Sequence, residues 1–84
     1  MQPEIEFINK LIRMRKRAEK LKVTKVNRMR DVTFLESHLT YNNYNTPEKA
    51  KGFFIRHSER IHNLIGVRKG KLEDEYNNFL QGAK

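Results

Sequence analysis

The chain has 84 residues, of which 37% are hydrophobic and 33% are charged, and its formal net charge is +8. A chain this short has enough apolar surface for one core only, so we expect a single basic helical domain over residues 1–84 with modest stability. The absence of cysteine excludes disulfides, thiolate metal ligands and cysteine nucleophiles.

The amino terminus and the hydropathy pattern predict an intracellular, soluble protein of the cytoplasm, nucleoid or nucleus. The first residues lack the basic start and the apolar run of a secretory signal. No stretch approaches the roughly 18 consecutive apolar residues of a membrane span. Because so small a core stabilises little, a homo-oligomer would help to bury apolar surface, and a monomer that is stable alone is the equal alternative.

The first predicted element is an amphipathic helix from Pro3 to about Lys22. Pro3 suits the first helical position, where its missing N–H donor has no partner to lose. Apolar residues recur along one face at steps of four and three, at Phe7, Leu11, Met14, Ala18 and Leu21, and Ile5, Ile8 and Ile12 widen that face. The opposite face carries cations at the same spacing: Lys10, Arg13, Arg17 and Lys20. We expect the apolar face to line the core and the cationic face to meet solvent.

A break near Thr24 is expected to separate this helix from a second one. Thr33 followed by Glu36 has the spacing of a capping box, in which each side chain bonds the other residue's free backbone donor. The second helix should therefore begin at Asp31 or Thr33. It should end in the polar run 40–45, whose asparagines favour turns.

Two further helices follow in the prediction. Thr46 and Pro47 together are a strong helix start, because threonine caps free backbone donors and proline suits the first position. This third helix should run unbroken to Gly66, a residue that favours a left-handed helix end. A short fourth helix is indicated from Leu72 to Leu80. Since no alternation of period two argues for a strand, the predicted fold class is all-α, a small bundle of three to four helices.

Nearly all the excess positive charge lies in the first third of the chain. Residues 1–30 hold ten basic and three acidic residues, a net charge of +7, whereas residues 31–84 hold eight basic and seven acidic ones, a net charge of +1. Like charges roughly 5–6 Å apart on a helix repel one another, so a helix that keeps so many favours an anionic partner over an ordinary solvated face. A phosphate backbone is the commonest such partner.

We therefore predict a binding protein for DNA, RNA or a nucleoprotein, with an accessory or regulatory role. The predicted contact residues on and just after the first helix are Lys10, Arg13, Arg15, Lys16, Arg17, Lys20 and Lys22. Arg56 and Arg60 on the third predicted helix could extend this surface, the alternative being that they are solvated surface charges. Tyr41 and Tyr44 are candidates for base stacking or for a protein interface, the alternative being that they fold back onto the core.

Other functions fit the same composition. The chain could be an adaptor or inhibitor that docks on an acidic protein surface with Phe7, Tyr41 or Tyr44 as anchors. It could also be an oligomer that sequesters a small anionic ligand, such as a nucleotide, at a subunit interface. A membrane-surface helix is disfavoured because the first helix lacks tryptophan and needs its apolar face for the core.

No pattern in the sequence indicates catalysis, a metal or a cofactor. The acids 73–75 are consecutive on a helix and therefore point in different directions. His57 lies on the apolar face of the third predicted helix, which is typical of a core histidine. His62 is five positions further on, so the two do not form a metal-binding pair at helical spacing. We expect a protein that is not an enzyme.

Overall fold

The computed structural model describes residues 2–21, 26–66 and 71–82, which form five α-helices and no strand. The helices are α1 (Pro3–Lys20), α2 (Val26–Tyr41), α3 (Pro47–Arg56), α4 (Ser58–Ile65) and α5 (Leu72–Gly82). The all-α class is confirmed, but the expected count of three to four helices is too low. The predicted break near Thr24 lies outside the described residues.

The third predicted helix is in fact two helices that meet at His57. The backbone of His57 leaves the helical region, with φ −113° and ψ 25°. Its N–H still donates to the Phe53 carbonyl at 3.0 Å, and its own carbonyl accepts from the Ile61 N–H at 3.1 Å. No proline or glycine marks this position, so local sequence does not predict it. Both α3 and α4 pack against α1, and the bend at His57 allows the two helices to contact it together.

The second helix begins earlier than predicted, at Val26. Thr33 therefore lies two turns inside α2, and its hydroxyl donates to the Met29 carbonyl at 2.9 Å. This is how threonine behaves in a helix interior, so the predicted capping box with Glu36 is wrong. The asparagine-rich run does follow the helix, which ends at Tyr41.

The predicted start of α3 and end of α4 are both confirmed. The Thr46 hydroxyl accepts from the Lys49 N–H at 3.3 Å, and Pro47 occupies the first helical position. The helix ends at Gly66, whose φ of 91° is one that residues with a Cβ rarely adopt, but its ψ of 160° is extended, so the predicted left-handed helical conformation is not formed. Each of these signals sets the backbone conformation of residues next to it in the chain, which is why the sequence alone predicts both positions.

The amino-terminal half of α1 forms the centre of the core. Its buried residues are Ile5, Phe7, Ile8, Leu11 and Ile12, and they meet Val32, Leu35, Ala50, Phe53, Ile61, Leu64 and Ile65 of α2, α3 and α4. Further along, the predicted apolar face is less covered: Ala18 is half-buried, Met14 is 42% exposed, and Leu21, directly after α1, is 68% exposed. The predicted core face is thus correct for the first three turns only. None of the described helices is both long and apolar enough to cross a bilayer.

Aromatic contacts fix α5 against α1. The ring of Phe7 lies 5.3 Å from that of Tyr76 and 5.4 Å from that of Phe79, measured between centroids. The Tyr76 hydroxyl also donates to the buried carboxylate of Glu4. Burial, followed by the charge of Glu4 and this hydrogen bond, raises the pKa of Tyr76 to about 12. These contacts bring Phe79 beside the cationic side of α1.

Candidate nucleic-acid interface

Four exposed cations line the side of α1 that points away from the core. We call this set, Lys10, Arg13, Arg17 and Lys20, the α1 basic face. At 3.6 residues per turn the four positions fall within an arc of about 80°, opposite the buried isoleucines of the same helix, and extend for about 15 Å along the axis. The two-sided helix predicted from the sequence is present, with its cations open to solvent.

The protein's own acids leave most of this face unneutralised. Among the described residues, no carboxylate forms an ion pair with Arg13, Arg17 or Lys20. The Lys10 ammonium lies 5.4 Å above the ring of Phe79, a cation–π contact rather than an ion pair. Glu6 lines a shallow depression with Arg13 and marks the amino-terminal limit of the face.

Arg15 has a structural role and lies off the α1 basic face. It is half-buried, and its guanidinium donates to the carbonyl of Leu64 and, at 3.0 Å, to that of Ile65. Carbonyls at the end of a helix have no partner within the helix. Arg15 therefore caps α4 and connects it to α1.

Lys16 and Arg60, also predicted to contact nucleic acid, are paired with acids of the protein. Lys16 forms an ion pair with Glu36 of α2. Arg60 lies 3.2 Å from Asp31 and stacks 3.8 Å from the ring centroid of Phe34. These partners reduce the charge that either cation can offer to a phosphate.

The other predicted cations are dispersed. Arg56 is exposed but belongs to α3. Lys22 lies outside the described residues. The predicted surface therefore reduces, within the part of the chain that the structure describes, to the four cations of the α1 basic face with Arg56 elsewhere.

The two tyrosines differ in exposure. Tyr41 is 83% exposed at the end of α2. Tyr44 is half-buried, with its ring 4.6 Å from that of Phe53. Phe7 is 3% exposed and cannot anchor a partner. Of the three aromatic anchors considered from sequence, Tyr41 is the most accessible to another molecule.

Two histidines lie in a ring cluster between α2 and the α3–α4 bend. The rings of His38 and His57 are 5.2 Å apart, and His57 also contacts Phe34 at 5.3 Å and Phe53 at 4.7 Å. Burial, then the nearby positive charges of His38, Arg56 and Arg60, lowers the pKa of His57 below 6.5. Among the described residues, no group of three or more potential ligands could hold a metal ion.

Sequence reasoning missed a groove beside the α1 basic face. It lies between α1, the end of α4 and α5, has a volume of about 340 Å³, and includes Lys10 and Phe79 in its lining. The periodicity of α5 places Phe79 on an apolar face. Periodicity does not show which helix that face packs against. The proximity of Phe79 to Lys10 is therefore visible only in the tertiary structure.

Similarity to known proteins gives no independent information on this surface. The chain matches no protein-family model, no curated protein and no solved structure.

Proposed function

We propose that this protein binds nucleic acid, or a nucleoprotein, through the α1 basic face and acts without catalysis as an accessory or regulatory factor in the cytoplasm, nucleoid or nucleus. One observation carries the proposal: Arg13, Arg17 and Lys20 are exposed, and no carboxylate of the described residues pairs with them. Like charges held side by side repel one another in the free protein, and a bound phosphate backbone would reduce this repulsion.

Binding of this kind depends strongly on salt, because each neutralised phosphate releases counterions. Four contacted phosphates give a slope of about −3.6 for the logarithm of the binding constant against the logarithm of salt on duplex DNA. Sequence preference should be weak, since phosphate contacts carry no base information.

The test compares two triple variants with the same change in net charge. R13Q/R17Q/K20Q removes three cations of the α1 basic face, and K49Q/K51Q/K71Q removes three exposed lysines on and near α3 and α5. Fluorescence anisotropy with mixed-sequence DNA and RNA should show a slope reduced by about 2 to 3 for the first variant and by much less for the second. No binding by the wild-type protein at about 50 mM salt rejects the proposal.

A second candidate is an adaptor or inhibitor that docks on an acidic protein surface. The observation that favours it is the exposure of Tyr41, at 83%, since interfaces use tyrosine as an anchor. A pull-down after nuclease treatment separates the two functions, because a protein partner survives the treatment. Light scattering on the same samples tests the predicted self-association.

A further inference from the structure

The groove between α1, α4 and α5 has the size and lining of a ligand site. Its volume of about 340 Å³ falls within the roughly 300–1,000 Å³ of small-ligand pockets. Apolar walls come from Leu11, Met14 and Leu64, and polar groups come from Glu75 and Asn78. Met14 on its wall is 42% exposed, and Lys10 of the α1 basic face lines the same groove.

Phe79 connects this groove to the cations. Its ring packs on Phe7 at 5.4 Å and lies beneath the Lys10 ammonium, also at 5.4 Å. Phe79 also lines the neighbouring depression, together with Arg13 and Glu6. An aromatic side chain thus reaches the surface between two members of the α1 basic face.

We infer that the groove receives one unpaired base of a single-stranded nucleic acid, stacked on Phe79, while the adjoining phosphates contact Lys10 and Arg13. This inference rests on the proposed function and names its substrate class. Aromatic rings beside a cationic track are the common arrangement for single strands, because every base has a π-face. Lys10 is exposed, and a lysine ammonium is carried on a flexible four-carbon stem, so it can leave the ring for a phosphate.

Glu75 favours a base over a phosphate as the occupant of the groove. Lys10 and Arg15 also line the groove, but the Arg15 guanidinium donates to the carbonyls of Leu64 and Ile65. The Glu75 carboxylate can accept a hydrogen bond from the amino or N–H group of a base, a donor that a phosphodiester does not offer. Asn78 offers both a donor and an acceptor to a base edge. A base in a duplex is already stacked and paired, and extracting it costs free energy. The groove should therefore favour single strands.

The experiment compares single-stranded and duplex oligonucleotides with equal numbers of phosphates, in DNA and RNA, on the whole chain. Phe79→Leu keeps an apolar side chain against Phe7 but removes the ring. Phe54→Leu is the matched control, because Phe54 is also half-buried and contacts Phe7 and Tyr76 rather than the groove. A fluorescent adenine analogue in the strand reports stacking directly.

We expect Phe79→Leu to weaken single-strand binding about fivefold or more, with duplex binding and the salt slope unchanged. Phe54→Leu should keep the wild-type preference and the fluorescence change. Equal wild-type affinity for single and double strands, or equal losses in the two variants, overturns the inference and leaves the proposed function standing. Binding to neither form rejects the proposed function itself.

Discussion

Arg15 and Arg17 lie two positions apart on α1 and should respond to truncation in different ways. Arg15→Ala removes the donors to the carbonyls of Leu64 and Ile65 at the end of α4. Leaving such half-buried acceptors unpaired costs about 1–3 kcal/mol. Arg17→Ala removes an exposed side chain with no carboxylate partner among the described residues, so its effect on stability should stay within about 0.5 kcal/mol.

Urea denaturation and binding assays on the same two proteins check this division of roles. Arg15→Ala should unfold at lower urea while keeping the wild-type salt slope for nucleic acid. Arg17→Ala should keep the urea midpoint and lose about one unit of slope. A reduced slope with unchanged stability in Arg15→Ala would contradict its assignment as a structural residue.

His57 should make the protein less stable in mild acid. Its pKa in the folded protein is lowered below the ordinary 6.5 by burial and by the positive charges of His38, Arg56 and Arg60. The unfolded chain therefore binds a proton more readily than the folded one. The stability that His57 contributes is complete above pH 6.5 and is lost as the pH falls through the folded pKa.

The urea midpoint, followed from about pH 8 to pH 5, measures this effect. His57→Gln should flatten the decline across that range, because the glutamine does not titrate. His62→Gln, which replaces an exposed histidine on α4, is the matched control for the loss of one histidine. A decline that persists in His57→Gln would assign the pH dependence to another group.

At the scale of the helices, replacing each of two glycines by alanine should change the free energy of unfolding in opposite directions. Gly52 lies inside α3, and an added Cβ there would meet no atom within 4 Å. Gly52→Ala should stabilise the protein by about 0.5–1 kcal/mol, because alanine loses less backbone entropy in a helix. Gly66, with φ 91° and ψ 160°, occupies a region that is nearly exclusive to glycine, so Gly66→Ala should cost about 1–3 kcal/mol.

Thermal denaturation of the two variants and the wild type measures both changes in stability. A stability loss in Gly52→Ala would mean that α3 is not helical at this position, or that another part of the protein or a second copy packs against Gly52 in solution. Unchanged stability in Gly66→Ala would contradict the backbone conformation at the end of α4.

The elements also show which kinds of sequence signal predict structure. The start of α3 depends on Thr46 and Pro47, and the end of α4 depends on Gly66, so each is set by neighbours in the chain. The break at His57 has no local marker and follows from packing of α3 and α4 on α1. The capping-box pattern at Thr33 was misleading because the same residue pair also fits a helix interior, where the hydroxyl donates to Met29.

In the candidate site, too, some features follow from local sequence and others only from tertiary packing. Helical spacing alone predicts that Lys10, Arg13, Arg17 and Lys20 share a face. It cannot predict that Arg15 reaches the end of α4, since that contact joins residues far apart in the chain. Nor can it predict that Phe79 lies beneath Lys10. Periodicity determines the direction of a side chain on its own helix, and tertiary packing determines what it meets.

For the whole molecule, charge repulsion should make stability depend on salt. The net charge is +8, and the cations of the α1 basic face are neighbours at three- and four-residue spacing, where each like pair destabilises by a few tenths of a kcal/mol. Added salt screens this repulsion. The melting temperature of the wild-type protein should therefore rise with moderate sodium chloride.

The two triple variants distinguish local repulsion on α1 from the general effect of net charge. R13Q/R17Q/K20Q removes several adjacent like-charge pairs, and this relief is partly offset because Arg17 and Lys20 lie in the last turn of α1, where the helix dipole favours cations. We expect this variant to be at most about 0.5 kcal/mol more stable than the wild type at low salt and less responsive to added salt. K49Q/K51Q/K71Q lowers the net charge equally but removes fewer neighbouring pairs, so it should gain less. Equal gains in the two variants would show that the repulsion is spread over the molecule. The α1 basic face would then carry no special electrostatic cost for a phosphate backbone to relieve, and the physical reason for its binding would be lost.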